Sequence, residues 1–231
     1  MEAERLKRIA VARNGFKDKF GIPRQPREES QIVTRIEFEP EYRVREALRG
    51  IEKYSHLWLI WGFHARNTED GEGWRATVRP PRLGGNTRVG VFATRSPYRP
   101  NPLGLSCVRL LGVEEDGEKG IVLVVTGADM MDGSPIYDIK PYIAYTDSHP
   151  DAAGSFAEEH ANDRLTVIWE EGTDNIPQET KAALEEILAQ DPRPAYQHDP
   201  ERIYKSDYAG CKVCFRVDKD VLTVTKTEVS E

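Results

Sequence analysis

A chain of 231 residues, 39% hydrophobic and 31% charged, is long enough to bury a core of its own and too apolar for the compositional regime of disorder. No run approaches the roughly 18 apolar residues of a membrane span, Met1 to Arg5 lacks an apolar signal segment, and three cysteines are too few for a disulfide scaffold, so we expect a cytoplasmic protein with no membrane partner. The formal net charge of −7 would argue against a nucleic-acid partner if it were evenly spread, but residues 1–113 carry 21 Lys+Arg against 13 Asp+Glu and residues 114–231 carry 11 against 26.

Arg5 to Arg13 has the apolar centre of a strand and runs into the turn-prone Asn14-Gly15. In Gly21 to Arg27, Pro23 and Pro26 hold the chain extended, so the loop presents Arg24 and Gln25. Ile32 to Phe38 alternates as a strand does. Glu41 to Tyr54 spaces Val44, Ala47, Leu48 and Ile51 as a short helix, and Leu57 to Phe63 reads as a strand buried on both faces. Pro80-Pro81 and Gly84-Gly85 punctuate the middle before a strand near Arg88 to Phe92, and three prolines between Pro97 and Pro102 exclude helix. Leu105 to Val113 and Gly120 to Thr126 flank a polar turn as a hairpin. Asp151 to Asp163 is acidic and Ala-rich, suiting a linker or a surface helix. A strand at Leu165 to Trp169, a helix from Pro177 to Gln190 and strands near Lys212 to Val217 and Val221 to Thr225 complete the chain. The pattern predicts a mainly β protein, a barrel or sandwich over residues 1–150, a linker at 151–163 and a smaller α+β domain at 164–231.

A Rossmann-type cofactor site needs strand, Gly-rich turn and helix; after Ile121 to Asp129, Asp132-Gly133, Pro135 and Pro141 leave little room for that helix, and the weak signal is rejected. Cys211-Lys212-Val213-Cys214 has half the spacing of a zinc site with nothing to complete it, and in a strand the two thiols face opposite sides, so no metal is expected. Gly73 to Val113 holds Arg75, Arg79, Arg82, Arg88, Arg95, Arg99 and Arg109 with no acidic residue. Such a one-signed run suits docked phosphates; pairing with the acidic C-terminal part is the competing reading. The segment Gly90 to Gly104 displays Arg95, Arg99 and Asn101 on a proline-stiffened backbone, as a recognition loop or a rigid turn would. His64 stands where a strand opens into a loop, a place for a pocket residue, although a lone His is usually structural. From Asp129 to Tyr142, Asp132, Asp138, Lys140 and Tyr142 combine acid, base and stacking groups, the last three on one strand face; an Asp-Lys surface pair is the alternative.

These segments closely resemble the family of tRNA adenine-37 N6-methyltransferases, also described as TsaA-like or class VIII methyltransferases. The resemblance runs through Pro23 to Pro26, Phe63-His64, Trp74-Arg75, Thr77 to Asn86, Arg95 to Gly104, Asp132-Gly133, Asp138 to Tyr142 and Leu188 to Tyr196. It implies a small antiparallel β-barrel catalytic domain that dimerises, binds S-adenosylmethionine without a Rossmann sheet, and methylates N6 of threonylcarbamoyladenosine 37 in the anticodon stem-loop of threonine-codon-reading tRNA. Carried over by position, cofactor contacts fall to Pro23, Arg24, Gln25, His64, Ala65, Arg95, Met131, Asp132, Gly133 and Ser134. The catalytic set is Asp138, Lys140 and Tyr142, and RNA contacts fall to Arg75, Arg79, Arg82, Arg88, Arg99 and Asn101. Competing classes are a non-catalytic RNA-binding barrel and a hydrolase using His64 and Asp138, which differ from it in having no affinity for the methyl donor or no need of it.

Overall fold

In a computed structural model of the chain, described over residues 6–17, 21–23, 25, 29–64, 73–84, 86–159, 163–193, 197 and 199–229, twelve strands and three α-helices are assigned. Contacts group the chain into two units, residues 1–14, 24–74 and 100–149 in the first, and residues 15–23, 75–99 and 150–231 in the second.

Alternation organises the first unit. In β2 (Val33–Phe38) Thr34, Ile36 and Phe38 are buried while Val33 is exposed, as period-2 patterning requires of a half-buried strand. Together with β1 (Ala10–Arg13), β3 (His56–Gly62), β6 (Leu103–Asp116), β7 (Gly120–Thr126) and β8 (Pro135–Pro141) it forms an antiparallel sheet in the order β1-β2-β7-β6-β3-β8. β8 returns to β1 through the pairs Ala10↔Ile136 and Val11↔Pro135, closing the ring of pairings. Ile36, Leu57, Leu59, Leu123, Val125 and Met130 meet inside it, each fully buried. β3 departs from expectation: Leu57, Leu59 and Trp61 face the core, but Trp58 and Ile60 are only half-buried, so one face is covered rather than both.

Two expected elements take other forms. Glu41 to Tyr54 is three short 3-10 turns (Pro40–Tyr42, Arg45–Leu48 and Ile51–Lys53) instead of one helix. Val44 is extended and Gly50 sits at φ 91°, which breaks any continuous α-helical ladder. The strand expected near Arg88 to Phe92 shrinks to β5 (Val89–Gly90), which pairs with β4 (Thr77–Val78) and passes into a 3-10 turn at Val91–Ala93. After β8 come α1 (Ala144–Asp147) and α2 (Phe156–Glu159), the latter within the expected linker.

The second unit holds a four-stranded sheet, β10 (Tyr204–Tyr208), β11 (Cys211–Asp218), β12 (Val221–Val229) and β9 (Thr166–Trp169), in that order, with β9 parallel to β12. α3 (Gln178–Leu188) buries Ala183, Leu184, Ile187 and Leu188, a one-sided helical stripe. Cys211 is buried and Cys214 half-buried on alternate positions of β11, as their odd spacing dictates. Gly15 and Phe16 belong here: Phe16 packs edge-on to Tyr208 with ring centroids 5.2 Å apart, and Ala209 N–H donates to the Gly15 carbonyl at 3.0 Å. Burial pushes the Tyr208 phenol up to about 12, so it stays neutral.

The tightest approach in the first sheet is Gly104 opposite Trp61, where an added Cβ would lie 2.2 Å from the indole. Gly104→Ala should therefore destabilise the protein by about 2 kcal/mol or more. Gly112→Ala, with nothing within 4 Å of the added carbon, should change stability by less than about 0.5 kcal/mol. Denaturant unfolding of the two variants checks the contrast.

Candidate functional site

The site grows from the connection between β7 and β8. Gly133 N–H donates to the Ala12 carbonyl at 2.8 Å, Ala12 N–H donates to the Ser134 carbonyl at 3.0 Å, and Ser134 N–H closes the turn on Met131 O at 3.2 Å. Asn14 adds two bonds, its backbone N–H to Asp132 Oδ1 at 3.1 Å and its side-chain amide to Met130 O at 3.0 Å. Arg13 lies 3.9 Å from Asp132. Met131, Asp132, Gly133 and Ser134 thus form a turn pinned to β1 from both sides. Gly133 sits at φ 83°, a conformation L side chains rarely adopt, and a Cβ there would stand 3.6 Å from His64 Nε2. The exposed His64 ring meets the buried Ser134 hydroxyl through Nδ1 at 3.3 Å.

Polar groups under this turn are linked inside the core. The Trp61 indole donates to Ser106 Oγ at 2.8 Å, and that hydroxyl donates to Asp129 Oδ1. Trp61 also packs on Phe63, centroids 4.4 Å apart, and Phe63 N–H donates to Pro102 O at 3.1 Å. Leu103 N–H donates to the Asn101 carbonyl at 2.8 Å, so the His64 end of β3 and the exposed Asn101 loop are joined. Sequence reasoning gave no role to Ser106; a serine among apolar strand residues, Leu105-Ser106-Cys107-Val108, was the available signal.

Further along β8, Asp138 is registered with Ile60 and Lys140 with Trp58. Asp138 Oδ1 accepts its neighbour's amide, Ile139 N–H, at 2.9 Å, and Oδ2 lies 3.0 Å from Lys140 Nζ. Both side chains are substantially exposed, at 44% and 63%, so the pair adds little to stability and stays available to a ligand. Tyr142 packs against Trp58 and His56, centroids 5.8 and 6.1 Å away. At about 3.3 Å per residue, Ser134 and Tyr142 stand roughly 25 Å apart along the strand direction. The turn and the Lys140–Tyr142 segment therefore lie at opposite ends of β8, with Asp138 at the middle position of the strand.

Of the arginine run, Arg109 belongs to the first unit and Arg75 to Arg99 belong to the second. Its Thr94 to Arg99 loop is tied by its own polar groups: Thr94 Oγ1 accepts from Ser96 N–H at 3.2 Å, and Arg99 donates to the Thr94 and Ser96 carbonyls at 2.8 and 3.3 Å while lying over Phe92. Arg75 stacks on Tyr98 at 4.7 Å, and Arg88 donates to Thr77 Oγ1 at 3.1 Å. Arg79 and Arg95 are exposed and Pro23 is buried. Gln25 is half-buried in the first unit. Arg24, Ala65 and the Arg82 side chain lie outside the described residues.

Sequence reasoning also missed Asp147. Its Oδ2 accepts from the Trp58 indole at 2.9 Å and from Ile143 N–H at 2.9 Å. These hydrogen bonds, led by the Ile143 amide, hold its carboxyl below the ordinary range. Trp58, Lys140, Asp147 and His149 line an open groove on the outer side of β3. Among the described residues no three His, Cys, Asp or Glu side chains cluster as a metal site would need.

Comparison with known proteins adds a second line. Residues 11–148 match the tRNA-methyltransferase O N-terminal domain and residues 162–230 the TrmO C-terminal domain. The chain is 41% identical over 209 residues to the tRNA (adenine(37)-N6)-methyltransferase of Escherichia coli strain K12, covering 87% of each chain. It is 42% identical over 205 residues to the putative S-adenosylmethionine-dependent methyltransferase RcsF of Pseudomonas aeruginosa, covering 85% of each. The crystal structure of TrmO from Pseudomonas aeruginosa superposes with a TM-score of 0.77 at 31% identity, covering 98% of this chain and 99% of that one.

The lowered Asp147 carboxyl has a signed consequence. A group whose pKa falls on folding contributes stability above its unfolded value, about 3.9, and loses it as pH drops through the folded one. The stability advantage of the wild type over Asp147→Asn should be steady from neutral pH to about pH 5 and shrink steadily below about pH 4, as denaturant unfolding at a series of pH values will show.

Proposed function

Because the chain belongs to the tRNA-methyltransferase O family, we propose that it is an S-adenosylmethionine-dependent tRNA (adenine-N6)-methyltransferase acting on threonylcarbamoyladenosine 37. In this reading the closed sheet of the first unit is a catalytic β-barrel within residues 1–150, and residues 164–231 are an appended α+β domain. The structural observation that carries it is the pinned Met131 to Ser134 turn, with Gly133 at positive φ facing His64. A backbone without a Cβ beside an imidazole and a buried hydroxyl leaves a cradle in which a small ligand can lie against the chain, which fits the cofactor.

When bound, the sulfonium supplies an electrophilic methyl group. What the protein contributes is alignment of a poor nitrogen nucleophile. The partly exposed Asp138 carboxylate, whose Oδ1 accepts from Ile139 N–H and whose Oδ2 faces Lys140, has lone pairs left to accept a hydrogen bond from N6–H and orient the nitrogen lone pair. Lys140 holds the threonyl carboxylate by a charge-assisted bond, and Tyr142 stacks on the base. His64, Gln25 and Met131 to Ser134 hold the cofactor in the first unit. Arg75, Arg79, Arg88 and Arg99 meet anticodon-stem phosphates, and Asn101 contacts the RNA.

Reacting atoms must come within about 3–3.5 Å, so Lys140 and Tyr142, at the far end of β8 from the turn, are poorly placed to serve a methyl group held there, while Asp138 stands midway. A homodimer, as the resemblance implies, lets this end of β8 serve the turn of a second protomer. The exposed Leu105 and Tyr145 on the outer side of the first unit supply apolar surface for such a contact.

Purified protein, labelled methyl donor and tRNA bearing threonylcarbamoyladenosine should yield the N6-methylated nucleoside by mass spectrometry; label in neither this tRNA nor one lacking the modification would overturn the reading. Asp138→Asn should lower turnover at saturating cofactor by about a hundredfold. Arg79→Ala should weaken tRNA binding and reduce the slope of log affinity against log salt by about one, which titrations at several ionic strengths will measure.

A further inference from the structure

We propose that Asp147 is a positioning residue for the tRNA substrate: it fixes Trp58, and through Trp58 the Lys140–Tyr142 end of β8, without touching the RNA itself. This inference rests on the methyltransferase reading above.

The geometry begins in sequence with two distant partners. Asp147 closes α1, where its N–H donates to the Ile143 carbonyl at 2.8 Å. Its Oδ2 returns to the Ile143 amide and reaches the Trp58 indole, 89 residues away, both at 2.9 Å. One oxygen thus ties the segment leaving β8 to the outer face of β3. Between these two anchors stands Tyr142, bonded by its N–H to the His56 carbonyl at 3.0 Å and packed at 49° to the Trp58 ring. Trp58 is also the register partner of Lys140.

Trp58 is only half-buried, so packing alone leaves its ring more than one rotamer, and the bond to Asp147 selects one. A tilted Trp58 fixes the face that Tyr142 can present and the wall along which Lys140 extends. The carboxyl acts through others and not by proton transfer: both donors converge on it and hold it ionised well below neutral pH. No other acceptor to the indole is needed to explain its orientation.

The effect should fall on RNA binding. Tyr142 and Lys140 grip the substrate in ground and transition states alike, so misplacing them raises KM for tRNA more than it lowers turnover. Asp147→Ala should raise that KM about tenfold with kcat within about twofold and cofactor affinity by calorimetry unchanged. Asp147→Asn, which keeps an acceptor oxygen, should recover most of the loss. Trp58→Phe, which keeps a ring but not the donor, should match Asp147→Ala, and the double variant should be no worse than either single one. An unchanged KM in Asp147→Ala, additive losses in the double variant, or no recovery in Asp147→Asn would overturn the inference while leaving the methyltransferase reading intact. Wild-type protein that transfers no methyl group would instead overturn that reading.

Discussion

The return of β8 to β1 is the contact on which the first unit depends. Two register pairs, Ala10↔Ile136 and Val11↔Pro135, complete the ring, and bonds from Ile9, Ala12 and Gly133 extend the join in both directions. Pro135 can occupy β8 because it stands at the first position of the strand. Once the join is made, Ala10, Ala12 and Ile136 lie inside, and the small alanines let strands approach closely around larger Ile36 and Leu123. The same join shapes the turn that faces His64. Core closure and ligand cradle are one structural event, so a change that loosens β1 alters both.

Inside that ring, the chain from Trp61 through Ser106 to Asp129 answers a problem of buried polarity. A buried indole N–H is costly when unpaired, and the Ser106 hydroxyl satisfies it as acceptor while donating its own proton to the half-buried Asp129. The network also links β3, β6 and the loop leading to the Met131 turn. Asp147 performs a comparable service on the outer side, where its oxygen serves an indole and an amide.

Much of the strand pattern was legible because alternation is a local property. Ile32 to Phe38 reported its own burial, and the polar turn after Val113 marked the hairpin, although β7 is buried at every position from Ile121 to Thr126 and Leu105 and Leu111 of β6 are exposed. Helical spacing in Glu41 to Tyr54 misled, since Val44, Leu48 and Ile51 satisfy it while Gly50 and the extended Val44 break the ladder. β10 was missed because Tyr204-Lys205-Ser206-Asp207-Tyr208 lacks aliphatic residues, although its alternation is intact. The site was legible as segments, not as a constellation: the Met131 to Ser134 turn and the Asp138–Lys140 pair stood in one stretch of sequence, but their placement along β8 follows only from that strand's pairing with β3. Asp147 was hidden because its partner lies 89 residues away. The grouping of residues 15–23 and 75–99 with the second unit likewise depends on distant contacts that no local window contains.

The two sheets differ in their exposure to misassembly. A ring has no free margin, whereas the second sheet ends in β10 on one side and β9 on the other. β10 carries the exposed Lys205, a charge that resists docking of a foreign chain. β9, Thr-Val-Ile-Trp, has no charge, and Ile168 is 48% exposed. Its protection is brevity: four residues offer too few hydrogen bonds to template an added strand, so lengthening β9 by apolar residues would open the route to fibrous aggregates that its present length denies.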